Sequence, residues 1–203
     1  MTKEERRLLK EEKRRIAEEK EANKPAWRVF LEYVIIAAVG VLVAFLLCKF
    51  VIINAVVPSS SMYPTIKEGD RMIGFRLAYL NKEPERGDII IFKCPEQGAD
   101  YNKPFVKRLI GLPGETVKIT AGEVWIYPVE GEPFQLIEDY LLEPMSTTAN
   151  VNNAEYVIGE DEYFFMGDNR NGSHDCRYFG AVSKDRILAK VIFKYFKGFK
   201  IIN

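Results

Sequence analysis

The feature that most constrains this chain is one long apolar run near its start. From Val29 to Ile53 only Glu32 and Lys49 are charged. The uncharged core of the run, Tyr33 to Cys48, has 16 residues, which correspond to about 24 Å of α-helix. A bilayer has a hydrocarbon layer of roughly 30 Å, and the apolar residues on either side of the core supply the missing length. The run therefore predicts a transmembrane helix over residues 29–53.

Two other interpretations of this run remain open. It could be a buried helix of a soluble protein, although a helix that is apolar on every face is uncommon in so small a chain. It could also be a cleavable signal sequence, which usually has a shorter apolar region of about 7–15 residues and ends at small residues. Here the run leads into Val56, Val57 and Pro58, so a retained anchor is the favoured interpretation.

The charges around the run predict its orientation. Residues 1–28 contain 10 Lys or Arg and 7 Asp or Glu, and 3–24 have the composition of a solvated helix. Basic residues next to a span stay in the cytoplasm as a rule. We therefore expect a cytoplasmic arm over 1–28, a single-pass anchor in the cell membrane over 29–53, and an extracytoplasmic domain over 54–203, with the lipid bilayer as one partner.

Short segments rich in Ile, Val, Phe and Tyr predict that the rest of the chain is mainly β. Turn-forming pairs such as Gly69-Asp70 and Pro113-Gly114 separate these segments. The fold class expected is an antiparallel β body behind one transmembrane helix, with a possible short helix near 76–80 and coil over 94–104 and 128–160. The predicted strands are 88–92, 105–110, 115–119, 123–127 and 162–166.

Composition excludes several classes of function. The chain has 29 basic and 29 acidic residues, which argues against nucleic-acid binding, since nucleic-acid binders usually have a basic face. His174 is the only histidine, so a His-rich metal site and a two-His metalloprotease motif are excluded. No metal or nucleotide cofactor is expected. The three cysteines form no disulfide framework, and whether Cys94 and Cys176 pair stays open.

Two segments could carry nucleophilic chemistry. Residues 58–65 follow the apolar run and contain three serines; by themselves they could be a polar linker. In the predicted strand 105–110, alternation places Lys107 on the same face as Phe105 and Leu109. Burial on an apolar face lowers the pKa of a lysine and makes the neutral amine a usable base. Alternatively, Lys107 reaches past its neighbours into water, as most isolated lysines do.

A third segment, residues 167–180, concentrates charged and amide side chains between two predicted strands. Fourteen residues are long for a simple hairpin connection, so this segment predicts a structured loop. It contains His174 beside Asp175, the only possible source of a Ser-His-Asp triad. Neighbouring side chains usually point apart, which makes the triad the weaker alternative to a serine–lysine pair.

The apolar run and these segments together closely resemble the type I signal peptidases of bacteria. The likeness covers nearly the whole body after Val57 and departs at Asn171, Gly172 and Cys176, where the family often has Asp, Asn and Ser. Each segment is moderately specific, and their order behind an N-terminal anchor is a strong signal. The matching segments are 58–66, 69–71, 86–90, 107–115 and 167–180.

The resemblance implies a serine endopeptidase with Ser61 as nucleophile and Lys107 as general base. The oxyanion hole would consist of the Ser61 backbone N–H and the Ser59 hydroxyl, and Ser173 would orient the Lys107 amine. Four residues would form a supporting frame of salt bridges: Asp168, Asp175, Arg108 and Arg177. The implied substrates are exported preproteins with small residues at the first and third positions before the cut.

Two competing functions differ from this one in what they require. A self-cleaving repressor also uses a serine–lysine dyad, but it would have a soluble DNA-binding domain where this chain has an apolar run. A membrane-tethered β module without enzymatic activity would need no reactive serine.

Overall fold

The structure, a computed structural model, describes residues 3–22, 24–146, 154–195 and 200–202. The chain divides into two compact units, Met1–Leu47 and Cys48–Asn203. The sequence over 143–155 is rich in Ser, Thr and Asn and predicts an exposed excursion; most of this segment, residues 147–153, lies outside the described residues.

The N-terminal unit is helical. The charged arm forms α1, Lys3–Ala22, and the apolar run forms most of α2, Ala26–Phe50. Within the described residues, α2 is the one helix that is long and apolar enough to cross a membrane. It ends before the sequence-based estimate of residue 53, because Ile52 and Ile53 are β-branched residues that pair with another strand instead.

The C-terminal unit is mainly β, as expected, and the strand pairs among its described residues are all antiparallel. The described residues of this unit also form a short α-helix, α3 Cys176–Phe179, and two 3-10 helices, Arg170–Gly172 and Lys184–Arg186. The strands are β1 Ile52–Val56, β2 Arg71–Phe75, β3 Ile89–Lys93, β4 Pro104–Gly111, β5 Thr116–Thr120, β6 Glu123–Tyr127, β7 Phe134–Gln135, β8 Ala154–Val157, β9 Glu162–Met166, β10 Val182–Ser183, β11 Ile187–Tyr195 and β12 Lys200–Ile201.

The five strands predicted from the sequence are confirmed, with ends that shift by at most one residue. The short helix considered near 76–80 is wrong: this segment is a turn, in which the backbone N–H of Leu80 donates to the carbonyl of Leu77. The coil expected over 128–160 contains the short strands β7 and β8.

Two sheets make up this unit. The larger has the order β1-β2-β11-β3-β4-β9-β10 with β12 paired to β11, and the smaller has the order β7-β6-β5-β8. Consequently β11, which comes late in the chain, pairs with both β2 and β3. It joins the β1–β2 hairpin to the β3–β4 hairpin.

Strand β3 is buried on both faces and separates two hydrophobic cores. Ile90 and Phe92 point into the core that also contains Leu109 and Phe165. Ile89 and Ile91 point into the other core, with Met62, Ile66 and Met72. Because side chains alternate along a strand, the run Ile-Ile-Ile-Phe supplies both cores at once. The connection between β1 and β2 and the adjacent strand β4 are thereby held against one rigid strand.

Candidate active site

Ser61 lies in the connection between β1 and β2. The residue after it, Met62, and Ile66 are both buried in the second core, and the Ile66 N–H donates to the Met62 carbonyl. The Ser61 carbonyl accepts a hydrogen bond of 3.0 Å from the backbone N–H of Asn169. These contacts fix the backbone on both sides of the serine, so its hydroxyl has a defined direction.

Lys107 lies on β4 with its side chain directed at Ser61. Phe105 and Leu109, predicted to share its face, both pack in the first core, and the Lys107 amine lies 5.3 Å from the centre of the Phe105 ring. Only 4% of Lys107 is exposed. Its Nζ lies 2.7 Å from Oγ of Ser61, within the distance that proton transfer requires.

Burial makes Lys107 a stronger candidate for a base. Loss of hydration disfavours the ammonium form and lowers the pKa of Lys107 to about 8, while the nearby Asp175 carboxylate opposes this shift. A lysine with such a pKa is substantially neutral at mildly alkaline pH. The alternative interpretation, in which Lys107 reaches past its neighbours into water, is therefore wrong.

Ser59 and Ser173 lie beside this pair in different ways. Ser59 is exposed, and its hydroxyl lies 3.3 Å from Oγ of Ser61. Ser173 is 6% exposed, and its Oγ has no hydrogen-bond partner among the described residues. A buried hydroxyl without a partner costs about 1–3 kcal/mol, so Ser173 is a group with unused hydrogen-bonding capacity.

Gly167 lets the loop of residues 167–173 approach the Ser61 segment closely. A Cβ atom on Gly167 would lie 2.2 Å from Oγ of Ser173 and 2.4 Å from the carbonyl oxygen of Ser61. Only glycine leaves room for this approach. The loop of residues 167–173 therefore packs directly against the backbone of the candidate nucleophile.

Two buried bidentate ion pairs form the supporting frame of salt bridges, whose pairing the sequence did not predict. Arg108 donates to both carboxylate oxygens of Asp168, at 2.8 and 2.7 Å. Arg177 donates to both oxygens of Asp175, at 2.7 and 2.9 Å. Asp168 also accepts from Thr65, at 2.5 Å, and Asp175 accepts from the backbone N–H of Gly167, at 2.9 Å. Asp168 thus ties β4 to the serine segment, and Asp175 ties α3 to the loop.

His174 is not placed for a triad. Its Nε2 lies 2.5 Å from a carboxylate oxygen of Glu96, and its ring stacks on Tyr178 at 4.9 Å between ring centres. Asp175 is engaged by Arg177 and Gly167 instead. The only histidine of the chain is therefore a partly exposed residue at the rim of the site.

A groove of about 560 Å³ leads away from Ser61 and Lys107. Its floor is apolar, whereas Ser59, Asp100, Lys103 and His174 contribute polar groups to its lining. The apolar lining comprises Val57, Met62, Ile66, Met72, Ile91 and Val106. Such a groove suits an extended peptide with small apolar side chains, since the second core closes its base.

Both cysteines of the body are free thiols. Cys94 and Cys176 are buried, and burial raises the pKa of each thiol. The Cys176 sulfur accepts a hydrogen bond from the backbone N–H of Phe165, at 3.1 Å. Cys176, one of the departures from the family pattern, thus serves a structural hydrogen bond on β9.

Sequence reasoning missed some residues that contact the site. Thr65, Gly167 and Asn169 lie inside the recognised segments, so closer attention to those segments would have found them. Glu138 and Tyr140 lie in the region assigned to coil, and a pair of polar residues in coil gives no signal of a contact about 30 residues away.

The chain is similar to known signal peptidases over most of its length. The family model described as signal peptidase, peptidase S26, matches residues 30–196. The probable signal peptidase I-1 of Synechocystis sp. is 36% identical over 174 residues, which are 84% of this chain and 84% of that protein. Signal peptidase IB of Staphylococcus aureus is 30% identical over 181 residues, 84% of this chain and 92% of that protein. The match to a solved signal peptidase I from Enterococcus faecalis covers 54% of this chain and 97% of that chain. The two sequences are 34% identical in the match, and its TM-score is 0.43.

Proposed function

The chain belongs to the signal peptidase family, peptidase S26, and from this premise we propose that it removes signal peptides with Ser61 as nucleophile and Lys107 as general base. The family membership makes it a serine endopeptidase that acts on preproteins. The assignment to these two residues rests on one observation above all: the buried Lys107 amine lies 2.7 Å from the Ser61 hydroxyl.

In the first step, neutral Lys107 removes the Ser61 proton as the hydroxyl oxygen attacks the scissile carbonyl. The resulting ammonium gives its proton to the leaving amine of the mature protein. Water then attacks the acyl-enzyme while Lys107 accepts its proton. The bond between the acyl carbon and Oγ of Ser61 breaks, Lys107 returns the proton to Oγ, and the signal peptide leaves with a free carboxyl group. Because a lysine with a pKa of about 8 exchanges protons readily near neutral pH, one residue can serve as base and acid.

The oxyanion that forms in each step needs hydrogen-bond donors. We assign this role to the backbone N–H of Ser61 and the hydroxyl of Ser59, which lies next to Oγ of Ser61. Removal of one such donor in other enzymes lowers kcat about 10²- to 10³-fold. Ser173, whose buried hydroxyl has unused capacity, would hold the Lys107 amine in orientation.

The ion-pair frame would hold the nucleophile, the base and the oxyanion-hole donors in their relative positions. The Arg108–Asp168 and Arg177–Asp175 pairs are almost fully buried, and a buried pair is rigid because breaking it leaves an uncompensated charge. No part of this mechanism uses a metal or a nucleotide.

The proposed substrates are exported preproteins with small side chains at the first and third positions before the cut. The apolar groove beside Ser61 supports this choice, in line with the A-x-A pattern of cleavable signals. We further propose that residues 29–53 contain the single membrane anchor, that the arm over 1–28 is cytoplasmic, and that residues 54–203 act outside the cytoplasm on the cell membrane. Neither nucleic acid nor metal is a proposed partner.

Incubation of the full-length protein with a preprotein tests this function. A single cut after an A-x-A sequence is expected, with no product from the Ser61→Ala variant because the attacking oxygen is gone. Ser60→Ala is the matched control: Ser60 is exposed, and its carbonyl, not its side chain, accepts hydrogen bonds from the Asn169 side-chain amide and the Tyr63 N–H. It should cut at the wild-type rate. Cleavage by Ser61→Ala at that rate would remove Ser61 from the mechanism.

A further inference from the structure

Residues 136–146, which we call the strap, contact the loop of residues 167–173. The strap follows β7 directly, and the Leu136 N–H at its start donates to the Val124 carbonyl of β6. It leaves beside Asn171, whose amide donates to the Pro144 carbonyl at 3.2 Å and accepts from the Ser146 N–H at 2.8 Å. The strap is therefore hydrogen-bonded to the loop along its backbone.

The strongest contact of the strap is a buried ion pair. Both terminal nitrogens of Arg170 donate to the carboxylate of Glu138. The Arg170 side chain has 0% of its surface exposed and that of Glu138 has 10%. A guanidinium so fully withdrawn from water needs a carboxylate beside it. Glu138 supplies this carboxylate.

Arg170 connects the ion pair with Glu138 to the backbone of Ser61, the proposed nucleophile. Its Nε donates to the Gly167 carbonyl at 3.2 Å, and Gly167 packs against the Ser61 carbonyl and the Ser173 hydroxyl. The residue before Arg170, Asn169, donates its backbone N–H to the same Ser61 carbonyl. Two contacts thus connect Arg170 to the backbone of Ser61.

Tyr140 connects the strap to the ion-pair frame as well. Its hydroxyl lies within hydrogen-bond distance of Glu138 and of Arg170. The guanidinium carbon of Arg108 lies 4.0 Å from the centre of its ring, a favourable cation–π distance. Arg108 in turn holds Asp168. The strap therefore contacts both arginines that flank the Ser61 segment.

We propose that Glu138 is a positioning residue of the active site: by holding Arg170 it fixes the loop of residues 167–173, which includes Ser173, against Ser61. This inference deepens the proposed function and rests on it. Glu138 touches neither substrate nor the reacting atoms in this scheme. It acts through Arg170, and its effect is on the geometry of the attack rather than on the binding of the preprotein.

Steady-state cleavage of a preprotein by the full-length Glu138→Ala variant tests the proposal. A displacement of about 1 Å at an active site can lower the rate about 100-fold. We expect kcat to fall about 10- to 100-fold and KM to change by less than about threefold. Glu138→Gln keeps the side-chain shape but not the charge, so its kcat should lie between the Ala variant and the wild type.

Glu115→Ala is the matched control. Glu115 is 8% exposed at its side chain and pairs with Arg86, in an environment similar to that of Glu138 but away from the loop. Glu115→Ala should lower the melting temperature by about as much as Glu138→Ala does, while leaving kcat within about twofold of wild type. An equal loss of kcat in both variants would mean that any lost buried ion pair has this effect, and would overturn the proposal.

A folded Glu138→Ala variant with the wild-type kcat would also overturn the proposal that Glu138 is a positioning residue. If Glu138→Ala does not fold, Glu138→Gln takes its place, and a wild-type kcat in that variant would overturn the proposal. The Ser61→Ala variant distinguishes failure of the Glu138 proposal from failure of the proposed mechanism. If the wild type cuts and Ser61→Ala does not, the proposed function stands whatever the Glu138 variants do. If Ser61→Ala cuts like the wild type, Ser61 is not the nucleophile, and the proposed mechanism fails whatever the Glu138 variants do.

Discussion

Lys107 is the residue at which stability and function oppose each other. Burial lowers its pKa from the ordinary 10.5 to about 8. Between these pH values the unfolded chain binds a proton that the folded chain releases, so the free energy of unfolding decreases as the pH falls through this window. Below pH 8 the full cost is present, about 3 kcal/mol. The protein thus gives up stability at neutral pH in order to hold a lysine that can lose its proton.

The pH dependence of cleavage follows from the same shift. Protonated Lys107 cannot accept the Ser61 proton, so kcat/KM should rise about tenfold per pH unit below a midpoint near 8 and level off above it. The measurement is the initial rate of preprotein cleavage between pH 6 and 10. A midpoint near the ordinary pKa of histidine would contradict this assignment.

Substitution separates the two candidate bases. Lys107→Ala and Lys107→Arg should both be inactive, the second because a guanidinium stays protonated at any working pH. His174→Ala should keep most of the activity and the same rising limb, because His174 contacts Glu96 rather than Ser61. An inactive His174→Ala together with an active Lys107→Ala would restore the triad through His174.

At the scale of elements, the loop of residues 167–173 depends on the absence of a side chain at Gly167. In Gly167→Ala the new methyl group would collide with the backbone oxygen of Ser61 and the hydroxyl of Ser173. A backbone oxygen cannot turn away, so the loop must move. We expect kcat/KM to fall about 100-fold, measured by preprotein cleavage. Gly40→Ala should have no effect, since nothing lies within 4 Å of its added Cβ.

The elements also differ in how far the sequence could predict them. The strand 105–110 and the face on which Lys107 lies followed from alternation alone, because both are local properties. The partners Asp168 and Asp175 could be named only as a set, since pairing with Arg108 and Arg177 depends on contacts across the fold. Glu138 was missed entirely: its partner Arg170 is 32 residues away, and nothing near Glu138 in sequence indicates burial.

The same distinction explains the end of α2. The apolar residues 51–53 fit a membrane helix and a buried strand equally well, and periodicity cannot separate the two in so short a stretch. Pairing decides, because Ile52 and Ile53 lie opposite Phe75 and Gly74 on β2. Knowledge of the partner strand is required, and that is not a local property of the sequence.

At the scale of the whole molecule, orientation across the membrane can be tested directly. The basic residues before α2 predict that residues 1–28 stay in the cytoplasm. A protease added to sealed right-side-out vesicles should digest residues 54–203 and leave a protected N-terminal fragment, which a tag at residue 1 would reveal. The same treatment of detergent-opened vesicles should remove the tag. Protection of the C-terminal domain in sealed vesicles would reverse the orientation.

The late position of β11 has a consequence for the life of a newly made chain. Ser61 lies between β1 and β2, Lys107 lies on β4, and β11 alone joins these hairpins in the larger sheet. Residues 187–195 follow both hairpins in the sequence, so the larger sheet can join Ser61 and Lys107 only after β11 has been synthesised. A growing chain that lacks β11 therefore has the two proposed catalytic residues on separate hairpins, and the proposed activity depends on a strand that is made after both of them.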